Sequence, residues 1–80
     1  MIINVTAEHI YHGKRENCYD CPVAKALESA FPGKGVAVGF KTCRVGEVLY
    51  DLPEAVTQAI RGFDSGKGML PFTWELACDM

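Results

Sequence analysis

Four cysteines and two histidines are the most reactive side chains in the sequence. Cys18 and Cys21 form a Cys-x-x-Cys pair followed directly by Pro22. Such a pair at a helix start lies near unsatisfied N–H groups and the positive end of the peptide dipoles, which favours thiolate over thiol. Three uses are compatible with that placement. A redox pair would need a depressed thiol pKa, although this motif follows a polar loop, whereas a thioredoxin-like motif follows a strand. Tetrahedral zinc would need two further ligands, and His9 and His12 supply them in a His-x2-His-x5-Cys-x2-Cys run of 13 residues. Cys43 or Cys78 could replace a histidine, but neither belongs to a second pair. In the third use Cys21 packs as a small apolar residue in the first helical turn, and His9 and His12 lie on an exposed turn.

Capture of an anionic ligand such as a nucleotide calls for Arg and Lys on phosphate and an aromatic ring on the base. Lys41, Arg44, Tyr50, Arg61 and Lys67 are the residues expected to do this. The Ser65-Gly66-Lys67-Gly68 loop could add N–H groups toward an anion, but it lacks the spacing of a P-loop. Neither Ser29 nor Ser65 has the strand-turn-helix setting of a nucleophile elbow. Asp51 with Glu54, and Asp64 with Asp79, are acid–base candidates by type only, and Asp51 reads better as a helix cap. No residue is assigned a catalytic role, so a non-enzymatic protein is expected.

The elements that must position these groups follow from periodicity. Ile2 to Val5 is a β-branched run, and Thr6 caps a brief helical turn from Ala7 to His12 that Gly13 closes. Pro22 stands in the first turn of a helix whose apolar stripe is Val23, Leu27, Ala30 and Phe31. Val36, Val38 and Phe40 alternate as a half-buried strand, and Gly46 marks a β-hairpin; residues 36–45 fit either one bent strand or two short ones. A helix begins at Leu52-Pro53-Glu54, with Ala55, Val56, Ala59, Ile60 and Phe63 expected inside and Thr57, Gln58 and Arg61 outside. Phe72, Trp74 and Leu76 form a last strand with Trp74 in the core. The order β-α-β-β-α-β predicts a single α+β domain over residues 1–80, ferredoxin-like (split βαβ), with one small antiparallel sheet covered on one face by two helices.

Composition bounds the function. The 80 residues carry ten acidic and eight basic side chains, a net charge of −2, with no run of either sign. Nucleic-acid binding through a basic footprint is therefore not expected. No stretch is long and apolar enough for a membrane span, and the N-terminus lacks a secretory pattern, so a cytoplasmic location is expected. At this size the core is small, which favours a homo-oligomer or another stabilising partner.

Thr6-Ala7-Glu8-His9-Ile10, Cys18-x-x-Cys21-Pro22-Val23-Ala24-x-Ala26-Leu27, Leu52-Pro53-Glu54-Ala55, Phe63-Asp64-x-Gly66 and Pro71-Phe72-x-Trp74-x-Leu76 together resemble a family of small phage and prophage proteins of unassigned activity. The resemblance spans nearly the whole chain, and the cysteine-containing stretch is its most specific part. It supplies no catalytic residues. It implies the cytoplasm of an infected or lysogenic bacterium, and a binding protein that antagonises a host defence factor by sequestering a ligand or masking a host protein. The alternatives left by the residues themselves are a zinc-stabilised module and a thiol redox protein.

Overall fold

The computed structural model describes residues 1–76. Its elements are β1 (Ile2–Val5), α1 (Ala7–His12), α2 (Pro22–Ala30), β2 (Val36–Val38), β3 (Thr42–Val45), β4 (Val48–Asp51), α3 (Glu54–Asp64) and β5 (Phe72–Glu75). The protein is α+β, as the alternating periods predict. Among the described residues no helix is long and apolar enough to cross a membrane.

The strands divide into two antiparallel sheets, β1 with β5 and the meander β2-β3-β4. This corrects the expectation of one ferredoxin-like sheet, which would have joined β1 to the central hairpin. Two local features keep them apart. The 36–45 segment breaks at Gly39-Phe40-Lys41 into two strands, so it pairs with itself in the register Val36↔Val45, Ala37↔Arg44 and Val38↔Cys43. The free edge of β2 is also occupied, because the Val38 N–H donates to the carbonyl of Cys18 at 2.8 Å. The β3–β4 connection is the two-residue loop Gly46-Glu47, with Gly46 at φ +62° as the first position of a type II′ turn requires.

Both sheets turn an apolar face to one core. Ile3 and Val5 alternate inward on β1, Cys43 and Val45 on β3, and Trp74 on β5, while Val23, Ala24 and Leu27 of α2 lie between the sheets in contact with β1 and β2. On α3 the buried residues are Val56, Thr57 and Ile60, so the stripe is rotated by about one position from the expected face. Ala55 is exposed and Thr57 is inside. Asp51 ends β4 and does not cap α3, whose N-cap is Pro53 without a side-chain hydrogen bond.

Gly13 closes α1 where it meets the start of α2. A Cβ there would lie 2.6 Å from Cδ and Cγ of Pro22 and 2.8 Å from its nitrogen. A buried proline ring cannot swing away, so Gly13→Ala should cost about 1–3 kcal/mol by overpacking. Gly35→Ala, which would meet nothing within 4 Å, should change stability by about 0.5 kcal/mol or less. Denaturant midpoints of the two variants check this, and equal midpoints would contradict the close packing of Gly13 on Pro22.

Candidate functional site

Residues 14–21 place one exposed thiol, Cys18, and one buried thiol, Cys21, at the start of α2. The Asn17 side-chain oxygen accepts the N–H groups of Tyr19 and Asp20 at 3.0 and 3.1 Å, and the Asn17 carbonyl accepts that of Cys21 at 3.0 Å. This Asx turn delivers the chain to the α2 N-cap, where Sγ of Cys21 accepts the Ala24 N–H at 3.4 Å. Glu16 takes a left-handed conformation, φ 55°, costly for a residue with a side chain, and its N–H donates to Oδ1 of Asp64 at 2.8 Å. That bond ties the loop to the end of α3.

Between this loop, the β2–β3 turn and the second half of α3 lies a groove of about 580 Å³. Its floor is apolar, with Val38, Ile60 and Cys21, and Cys18 stands exposed beside them. Phe40 and Arg61 form the opposite rim, with the guanidinium carbon 5.9 Å from the ring centroid, in cation–π range. Arg61 is in no ion pair among the described residues. Asp64 and Glu16 bring carboxylates to the same groove. A volume of this size with few polar groups on an apolar floor suits a small organic ligand.

The thiols differ from the sequence expectation. Burial pushes the Cys21 thiol up, the Ala24 and Val23 N–H groups partly offset it, and the charges of Asp64 and Cys18 add to the rise. Desolvation therefore outweighs the helix start, and Cys21 is a buried capping thiol. Cys43 is raised by burial to about 11 from 9.0. The sign of its effect on stability follows from linkage. Below pH 9 the thiol is protonated in both states, and as pH rises from 9 toward 11 only the unfolded chain loses the proton, so stability falls. Melting curves across that window should show a shallower decline for Cys43→Ala than for the wild-type chain; parallel declines would place the ionisation elsewhere.

The His9, His12, Cys18 and Cys21 set expected for zinc is divided between two sites. His9 and His12 line a separate groove with Lys25 and Ser29, whereas both cysteines line the first. Both nitrogens of His9 are engaged: Nδ1 accepts the Thr6 N–H at 3.1 Å in a capping box, and Nε2 lies 3.1 Å from Oγ of Ser29. Among the described residues no group of three or more His, Cys, Asp and Glu is placed to hold a metal. The capping bond also fixes the tautomer. With Nδ1 accepting, Nε2 carries the proton and donates to Ser29, the reverse of what a general base on that serine needs.

Of the five expected ligand residues only Arg61 lines the large groove. Lys41 is exposed in the β2–β3 turn, Arg44 lies on the outer face of β3 opposite Leu49, Tyr50 is half-buried against the core, and Lys67 is exposed in the loop after α3. Cys78 and Asp79 lie outside the described residues. Sequence reasoning missed Phe40, which alternates with Val36 and Val38 as if it belonged to a strand. Gly39 was the available signal, since a strand that breaks there leaves Phe40 in a turn, 60% exposed. Glu16 gives no sequence signal, because its role comes from a contact 48 residues away. Compared with models of protein families, with curated proteins and with solved structures, the chain has no match.

Proposed function

We propose that the chain is a non-enzymatic binding protein whose groove holds a small ligand with a planar ring and an anionic group, of the nucleotide type. The observation that carries this reading is Arg61 poised over the Phe40 ring at the rim of an apolar groove. A ring would stack on Phe40 above the Val38 and Ile60 floor, and Arg61 would take the phosphate with its fork of donors. Asp64 and Glu16 would accept N–H groups of a base. Binding fits better than catalysis because His9 donates to Ser29 instead of acting as its base, and burial pushes the Cys21 thiol up. With the resemblance to small phage proteins, the role becomes removal of a signal ligand from a host defence factor in the bacterial cytoplasm, by a homo-oligomer. Calorimetric titration with nucleoside monophosphates, cyclic nucleotides and dinucleotides tests it. One-site binding that weakens with added salt is the expected result, and no heat with any of them would overturn the assignment.

The redox alternative keeps one observation, the two thiols in one groove. Alkylation of Cys18 near neutral pH faster than a free cysteine would favour it, and ordinary or slow alkylation would remove it.

A further inference from the structure

Strand β4 has the exposure of an unfinished sheet. Its sequence is Val48-Leu49-Tyr50-Asp51, and Val48 and Leu49, on opposite faces, are 51% and 68% exposed. Among the described residues its one neighbour is β3. Natural edge strands are blunted by charges, Pro, bulges or short length; β4 is four residues long, carries no Lys, Pro or bulge, and has Asp51 as its one charge.

The direction of its free hydrogen-bonding groups follows from the ladder. The Leu52 N–H donates to the carbonyl of Lys41 at 2.8 Å. Hydrogen-bonded and non-bonded pairs alternate in an antiparallel ladder. In the β3–β4 register Cys43↔Tyr50 and Val45↔Val48 are then the bonded pairs, whereas Thr42↔Asp51 and Arg44↔Leu49 are not. Leu49 and Asp51 therefore aim their N–H and C=O groups away from β3, toward the edge that no described strand covers.

We infer that this edge is a self-association surface: two copies of the chain pair β4 with β4 in antiparallel fashion, joining two three-stranded meanders into one sheet of six. Antiparallel pairing is what a two-fold dimer of one strand requires. Residues directly opposite share a face, which leaves two central registers. Leu49 on Leu49 sets Glu47 against Asp51 of the other copy, a like-charge pair that disfavours it. Leu49 on Asp51 removes that clash and makes four reciprocal backbone bonds. It also sets Asp51 two strand spacings, about 10 Å between backbones, from Arg44, within the combined reach of the two side chains. On the inner face Val48 then meets Leu52 of the other copy, which extends the apolar surface that Cys43 and Val45 begin. Charge complementarity thus selects a second copy in this register.

Sedimentation equilibrium of the full chain over a wide concentration range tests the surface. The wild-type chain should have twice the 8.8 kDa chain mass. Leu49→Glu places a carboxylate against Asp51 of the other copy and should give monomers. Adding Asp51→Lys makes that contact attractive and should restore the dimer. Circular dichroism of each variant separates loss of association from loss of fold, and Leu49→Lys, attractive toward Asp51 in this register, is the folded control that should remain dimeric. A wild-type chain that stays monomeric, including one whose edge takes up some other strand, overturns the proposal, as does a dimer indifferent to Leu49→Glu. Ligand titration of the monomeric variant keeps this outcome distinct from the groove reading, because β4 contributes no residue to the groove.

Discussion

Leu27→Ala is expected to remove about 2–5 kcal/mol from the free energy of unfolding, by lost transfer energy plus the cavity left behind. Leu27 is fully buried on the helix that touches β1 and β2, and so lies where the two sheets share their core. The surroundings have little freedom to collapse into the gap, since Ile3, Val5, Val23 and Leu76 are themselves buried to 2% exposure or less. Small domains have little stability in reserve, and each kcal/mol moves the melting temperature of a chain this size by about 4–8 °C. Thermal melting by circular dichroism therefore reads the effect directly. A variant that melts with the wild-type chain would mean that α2 does not join the two sheets.

Arg61→Glu is expected to weaken the anionic ligand about 100-fold or more, because a hydrogen bond to a charged group is worth about 1.5–3 kcal/mol and the reversal adds repulsion. Phe40→Ala should cost about tenfold, from lost stacking and the lost platform for the guanidinium. Arg61→Lys should recover only part of the affinity, since an ammonium lacks the planar fork. Both residues are exposed, so melting temperatures should stay near that of the wild-type chain and the loss will appear in calorimetric Kd alone. Lys67→Ala, away from the groove lining, should leave Kd unchanged. If Lys67 mattered as much as Arg61, binding would be a diffuse charge effect and the groove would not be its site.

The parts of the structure written in local periodicity were legible. Thr6 before Ala7–His12, Cys21-Pro22 before a helix, and Gly46 between two short strands each specify their geometry within a few residues, and the structure has them at those places. What the sequence concealed depends on distant partners. Whether β1 joins the central hairpin is decided by the Cys18 carbonyl, which occupies the β2 edge. The thiol chemistry turned on burial of Cys21 under a core assembled from both ends of the chain, which no motif encodes. The face of α3 that docks lies about one residue from the one its apolar pattern indicates, because Thr57 and not Ala55 turns inward. At the groove, Arg61 was found by type, but its partner Phe40 was hidden inside an apparent strand pattern, and Glu16 and Asp64 are brought together only by the fold.

Native mass spectrometry tests most directly whether Arg61 and Phe40 hold a small anionic ligand. The chain is purified from bacteria, incubated with a small-molecule extract of the same cells, and measured beside the Arg61→Glu/Phe40→Ala variant. The groove predicts an added mass of nucleotide size on the wild-type chain that is lost in the variant. A bare wild-type chain, an equal adduct on both proteins, or the mass of one zinc ion in place of an organic ligand would contradict it.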